Sequence, residues 1–268
     1  MIIDSHTHID KANNVNWTPE QLITSMNEAG IDYSLVISND VTHSSVEQVI
    51  DIAKNHQRFR AIGSINLDTF NKSQVENLIN YLKNRDIVGV KLYPGYQDYY
   101  PFDERFFDLF KFCEDNNHPI MIHTGVLMVG CRGYLEQARP LHVDRIAHRF
   151  PKLKIVIAHM GNPWLEDTVA VMWKNPNVYT DFSGFFAEFS SISSQEADEF
   201  LYRMKHVKGL MGNFNRFLFG TDWPLYSQKE YLSVIQKIPF NNEEKNLIFS
   251  QNTINIFNLR LESPTLTL

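Results

Sequence analysis

The chain has 268 residues, 43% of them hydrophobic, enough to bury a large core in one domain or two. With 25 basic and 31 acidic residues the net charge is −6, so no polyanion-binding face is advertised and nucleic acid is not an expected partner. Cys113 and Cys131 are too few for a disulfide framework, and neither a basic leader nor a run of about 18 apolar residues appears, so a cytoplasmic protein acting on small molecules, away from membranes, is expected.

Eight short apolar or β-branched runs follow in order, at residues 1 to 5, 33 to 38, 59 to 66, 88 to 93, 119 to 123, 154 to 159, 177 to 182 and 217 to 221. Nearly continuous hydrophobicity, as in Ile155-Val156-Ile157-Ala158, marks strands covered on both faces, as in a parallel sheet under helices. Helical spacing fills the gaps. Thr18 and Pro19 open a helix that Gly30 closes, Val75, Leu78, Ile79 and Leu82 form a stripe, and further helices are predicted through 45–56, 104–116, 139–149, 165–174, 195–207 and 242–256. Strands alternating with helices imply right-handed parallel units, and eight of them predict an α/β fold: one (β/α)8 barrel domain over residues 1–268.

The ends of these runs carry the chemistry. In Ser5-His6-Thr7-His8 an extended chain turns His6 and His8 to the same face, where two imidazoles can clamp one cation. His123 closes Ile120-Met121-Ile122, His159 closes Ile155-Val156-Ile157-Ala158, and Asp222 follows Phe217-Leu218-Phe219-Gly220-Thr221. One histidine at one strand end is ordinarily satisfied by backbone. Nitrogen and oxygen ligands recurring at the same point of the strand–loop cycle point instead to a shared metal at the C-terminal mouth. Two longer loops rise from that mouth: Pro94 to Asp103, with Tyr96, Tyr99, Tyr100 and Phe102, and Val126 to Arg139, with Met128, Cys131, Arg132 and Tyr134. Their aromatics either bind substrate, pack on one another or form a subunit contact, which leaves a homo-oligomer open.

Ile3-Asp4-Ser5-His6-Thr7-His8, Gly89-Val90-Lys91-Leu92-Tyr93-Pro94, Pro119 to Gly125, Ile157-Ala158-His159-Met160-Gly161, Val178 to Gly184 and Phe219-Gly220-Thr221-Asp222-Trp223-Pro224 stand in this order at strand ends. Through them the chain resembles, over nearly its whole length, the amidohydrolase superfamily and within it the amidohydrolase-2 branch of metal-dependent hydrolases and decarboxylases. The resemblance implies that His6, His8, His123 and Asp222 ligate a divalent metal, usually zinc or manganese, and that His159 ligates a second ion or holds the catalytic water. TatD-type nucleases open similarly but carry a metal-bridging glutamate on strand four, where this chain has Lys91. Some lactonases of the superfamily dispense with metal, but here the ligand set is intact.

A cation with an open position acidifies water into a nucleophile. Asp222 is suited to take the proton and return it to the leaving group, and His159 to hold the water or polarise the substrate. Lys91 has three readings: a carbamate bridging two metals, an ammonium paired with a substrate carboxylate, or a structural ion pair with Asp222 or Asp181. Tyr93, Arg132 and Trp223 are candidate substrate contacts, with Arg139 near an anion pocket. Asp4 and Asp181 are expected to hold ligands or backbone, and His43, His56, His118, His142, His148 and His206 to be solvated or capping. The expected activity is hydrolysis of an ester, lactone or amide in a small carboxylate-bearing molecule. Its alternatives are decarboxylation of an aromatic or unsaturated acid, a TatD-like nuclease and a metal-binding barrel without turnover.

Overall fold

The computed structural model describes residues 1–9, 11–12, 15–39, 44–186 and 191–261. One parallel sheet contains β1 (Ile3–Thr7), β2 (Tyr33–Ile37), β3 (Phe59–Ser64), β4 (Gly89–Leu92), β5 (Ile120–Ile122), β6 (Ile155–Ile157), β7 (Val178–Asp181) and β8 (Phe217–Leu218), in spatial order identical to chain order. The last strand's extension returns to the first. Ser5 N–H donates to Phe219 O (2.9 Å), Asp222 N–H to His6 O (2.9 Å) and His8 N–H to Trp223 O (2.7 Å), closing the barrel predicted from the sequence. At this seam a Cβ on Gly220 would stand 3.0 Å from the Cβ of His6, tighter than most packed carbons, so a residue without a side chain eases the closure.

Helices α1 (Pro19–Ala29), α2 (Val46–Asn55), α3 (Lys72–Asn84), α4 (Phe107–Asn116), α5 (Leu141–Arg149), α6 (Leu165–Lys174), α7 (Ser194–Met211), α8 (Gln228–Ile235), α9 (Asn242–Asn246) and α10 (Asn252–Phe257) lie between and after the strands. Local chemistry sets their limits. Thr18 and Gln21 form a capping box before Pro19, and Gly30 ends α1 in the left-handed conformation at φ 69°. Three features depart from the sequence expectation. Helix α8 was not foreseen, because eight residues directly after a loop give too short a stripe to read. The run 242–256 is broken into α9, a π-helical turn at Leu247–Gln251 and α10. A hairpin pairs Lys11–Ala12 with Val15–Asn16, and two-residue strands carry no periodicity.

Burial explains the continuous apolar runs. Ile120, Ile122, Ile155 and Ile157 join the large cluster beneath the helices, whereas Met121 and Val156 join Ile3, Leu35, Ile37, Ile62 and Leu218 in a second cluster. Successive residues of one strand thus fill two separate cores. Because the strands run parallel, residues just past their ends share one rim. Among the described residues no helix is long and apolar enough to cross a membrane.

Remote from that rim, Phe110 is fully buried and packs edge-on or tilted against Phe106 (5.8 Å), Phe107 (6.5 Å) and Phe150 (5.7 Å between ring centroids). Phe110→Ala leaves a cavity between α4 and α5 and is expected to cost about 3–5 kcal/mol of unfolding free energy. Urea denaturation checks this, and a loss below about 1 kcal/mol would mean that the ring contributes little to this packing.

Candidate metal centre

His6 and His8 end β1 on one face, each with one ring nitrogen tied back into the barrel. His6 Nδ1–H donates to Asp181 Oδ2 (2.9 Å), and His8 Nδ1–H donates to the carbonyl of Ile37 (3.1 Å). Both Nε2 lone pairs therefore face inward, toward the carboxylate of Asp222: Nε2 of His8 is 3.3 Å and Nε2 of His6 3.6 Å from Asp222 Oδ1. Lone pairs set beside a carboxylate need positive charge, which Lys91 Nζ, 3.2 Å from His6 Nε2, supplies in part and a cation would supply between all three. Ligands at 2.0–2.2 Å on a tetrahedral zinc are separated by about 3.3–3.6 Å, the spacing seen here, so these three side chains fit a divalent cation.

Their protonation suits the same role. Burial, reinforced by the charge of Lys91, lowers the pKa of His6 to about 3, while His123 is held well below and His159 below the usual imidazole value, burial being the largest cause in each case. Neutral imidazoles are what a metal binds. Burial opposes ionisation of Asp222; without a cation a hydrogen bond from His8 holds its carboxyl well below the ordinary range, and a bound cation would take that proton's place.

Asp181 and Asp4 brace the site from behind. Asp181 Oδ1 accepts from the backbone N–H groups of His159 (2.8 Å) and Ser183 (3.1 Å) and from the Ser183 hydroxyl (2.6 Å), while its other oxygen holds His6. Asp4 accepts from the backbone of His6 (3.1 Å) and Thr221 (3.0 Å), the Thr221 hydroxyl (2.6 Å) and Gln228 Nε2 (2.8 Å), which ties β1 to the Asp222 loop; burial nonetheless raises its pKa to about 6. His159 and Asp222 both adopt left-handed backbone, at φ 60° and 65°. Gly184 lies close against them: a Cβ there would be 2.5 Å from His159 Nδ1 and 3.0 Å from Asp222 Oδ2.

Among the described residues two groups of three bring ligand atoms within 4.8 Å of one another: His6, His8 and Asp222, and His6, His159 and Asp181. His123 belongs to neither. It stands on the same rim with its ring 5.0 Å from that of His159, its Nε2–H donating to Val126 O (3.2 Å), which leaves Nδ1 as its acceptor. Lys91 is fully buried at the floor, its Nζ donating to His6 Nε2 (3.2 Å); burial lowers its pKa to about 8 against the pull of Asp181 and Asp222.

Tyr93 is buried, donating its hydroxyl to Ser38 O (2.9 Å), and Trp223 is buried edge-on to Trp17 (5.2 Å). Arg132 is exposed and paired with Asp68 (2.8 Å), and Arg139 pairs with Asp167 (2.6 Å) over the ring of Trp164. The loop aromatics divide: Tyr96 packs on His123 (4.7 Å), whereas Tyr100 and Phe102 stack on each other and meet His142 edge-on and tilted, outside the site. His142 and His206 pair with Glu136 and Glu166, His56 and His118 pack on Phe59 and Phe112, His148 lies in α5, and His43 is outside the described residues. Sequence reasoning included Ser183 and Gly184 in the run Val178 to Gly184 without giving them a role, and passed over Gln228. The i, i+2 rule that paired His6 with His8 applies equally to Asp181 and Ser183; nothing in the sequence marked Gln228.

The amidohydrolase family model matches residues 3–259, and the chain belongs to that family. A search of curated proteins finds no match. Among solved structures, an amidohydrolase from Burkholderia multivorans with bound zinc superposes with a TM-score of 0.75 at 16% identity, covering 97% of this chain and 100% of that one. A probable 2-pyrone-4,6-dicarboxylic acid hydrolase from Acinetobacter baumannii with citric acid bound gives 0.70 at 17%, covering 96% and 99%. The 5-carboxyvanillate decarboxylase from Novosphingobium aromaticivorans, complexed with manganese and 4-hydroxy-3-methoxy-5-nitrobenzoic acid, gives 0.71 at 16%, covering 97% and 96%. At these identities the likeness establishes the fold.

Asp181→Asn tests the bracing. An amide offers one oxygen, so either His6 Nδ1–H or the three donors on the other side would face an NH2 group. Zinc affinity, measured by competition with a chromogenic chelator, is expected to fall about 10–100-fold. Unchanged affinity would mean that the orientation of His6 does not depend on this carboxylate.

Proposed function

We propose that the chain is a metal-dependent hydrolase, opening an ester, lactone or amide bond of a small carboxylate-bearing molecule. The observation that carries the reading is the approach of His8 Nε2 (3.3 Å) and His6 Nε2 (3.6 Å) to Asp222 Oδ1, distances that two ligand edges of a zinc site would have. In this reading His6, His8 and Asp222 hold one divalent ion, and His123, which this structure leaves outside their group, would close in as a fourth donor through Nδ1. Zinc is the first choice and manganese the second, supported by the ions named for the Burkholderia and Novosphingobium structures. When bound, the cation supplies Lewis acidity to water and to a carbonyl oxygen.

The chain's own residues do the rest. Asp222, kept ionised by its neighbours, takes a proton from water as that water attacks, and returns it to the leaving group. His159 accepts a hydrogen bond from the water or proton from the substrate. Lys91, an ammonium under the metal-facing nitrogen of His6, attracts the substrate carboxylate downward into the barrel. Tyr93 and Trp223 wall the pocket, whereas Arg132 is committed to Asp68.

Decarboxylation is the second reading, because a buried ammonium beside a cation site would also seat an acid that loses carbon dioxide, and a decarboxylase is among the structures sharing the fold. Incubation of the zinc-loaded protein with carboxylated lactones, esters and amides, and with hydroxylated benzoates, separates the two. New acid without bicarbonate supports hydrolysis; bicarbonate without new ester, lactone or amide cleavage overturns it.

Asp222→Asn keeps an oxygen for the metal but cannot take a proton. Its zinc content is expected to survive while turnover falls by about 10² or more. Full activity in the zinc-loaded variant would remove Asp222 from the proton path. Lys91→Ala is expected to lower kcat/KM by about 2–5 kcal/mol for carboxylated substrates and to spare neutral analogues. Metal analysis of the same variant discriminates the carbamate alternative: wild type at one ion per chain, unchanged by the substitution, fits the ammonium, whereas two ions falling to one fits a carbamate bridge.

A further inference from the structure

The second triad, His6, His159 and Asp181, has a hydroxyl at its centre. Ser183 Oγ lies 2.9 Å from Nδ1 of His6, 2.9 Å from Nδ1 of His159 and 2.6 Å from Asp181 Oδ1. All four residues are buried. A hydroxyl has one proton to donate, and the carboxylate oxygen, nearest of the three and already accepting from two backbone N–H groups, is the acceptor that best holds it. Ser183 Oγ is then an acceptor toward His159, so Nδ1 of His159 must carry the proton. His6 Nδ1–H is spent on the other oxygen of Asp181. Every donor and acceptor is used in this assignment, and exchanging the two ring nitrogens of His159 would set lone pair against lone pair.

We propose that Ser183 is a positioning residue that fixes His159 as the Nδ1–H tautomer, so that one buried carboxylate, Asp181, orients His6 directly and His159 through a serine. The consequence is that Nε2 of His159 is a lone pair available to the reaction, and that the second triad is filled by a hydrogen-bonded serine in place of a second cation. When Nε2 takes a proton, the Nδ1–H stays on Ser183 and the serine proton stays on Asp181; no proton passes beyond the imidazole. Gly184 permits this contact, since any side chain at that position would fill the space beside His159 Nδ1. The part concerning turnover rests on the hydrolase reading, whereas the tautomer does not.

The test is a long-range 1H–15N spectrum of the protein labelled with 15N-histidine, with the His159 signals assigned by their loss in His159→Gln. Wild type is expected to show His159 as Nδ1–H, both zinc-free and with one equivalent of zinc. An Nε2–H tautomer in wild type overturns the proposal without any variant. In Ser183→Ala the Nε2–H form is expected to become populated, zinc stoichiometry to stay at one, and kcat to fall about 10-fold or more with a smaller change in KM. The backbone carbonyl of Ser183, 3.2 Å from the same nitrogen, is the competing acceptor. If it sufficed, Ser183→Ala would keep the Nδ1–H form, and that result also overturns the proposal. An Nδ1–H His159 in a wild-type protein that hydrolyses no carboxylated ester, lactone or amide would sustain the tautomer assignment while removing the functional reading.

Discussion

The hydrogen bonds to Asp181 are the constraint on which the rest of the rim depends. A fully buried carboxylate is costly unless donors surround it, and here one histidine ring, two backbone N–H groups and a hydroxyl converge on its two oxygens. Burial alone would raise its pKa; the hydrogen bond from His6, with the ammonium of Lys91 nearby, holds it well below the carboxylate range instead. The result joins three strands at one point. β7 supplies the carboxylate, β1 the ring that it steers, and β6 the backbone that leads into His159.

That convergence is bought with local strain at the residues that face the pocket. His159 and Asp222 occupy left-handed backbone, a conformation that costs up to about 1–3 kcal/mol for a non-glycine residue, less for Asp and His than for branched side chains. Each is held there by hydrogen bonds in both directions. Asp222 N–H reaches His6 O and its carbonyl accepts from Leu225; His159 N–H reaches Asp181 and its carbonyl accepts from Asn162. The turn is what swings each side chain off the strand line and over the mouth, and the missing side chains at Gly184 and Gly220 leave room for it.

Sequence patterns disclosed the fold almost completely, because a parallel strand buried on both faces and a helix with one apolar stripe have different periods. Each of the eight predicted runs overlaps a strand, with ends displaced by a few residues, as where 1 to 5 became Ile3–Thr7. The gathering of His6, His8 and Asp222 was legible too, since strand ends of a parallel barrel share a rim. What could not be read was the distance from that trio to His123, which depends on loop geometry, and the commitments of Arg132 to Asp68 and Arg139 to Asp167, which depend on chain segments far apart in sequence. Gln228 illustrates the same limit: it braces Asp4 from the first turn of a helix too short to announce itself.

Charge accounting connects the floor of the pocket to what enters it. Asp181 and Asp222 are ionised, Lys91 is an ammonium at neutral pH, and burial keeps His6, His123 and His159 uncharged. Asp4 turns its oxygens to Thr221, Gln228 and backbone, and does not figure among the charges that shift Lys91 or these imidazoles. Under the proposed reading a divalent cation would add two positive charges beside the Lys91 ammonium in a setting where water screens little, and either a substrate carboxylate or deprotonated water would offset them.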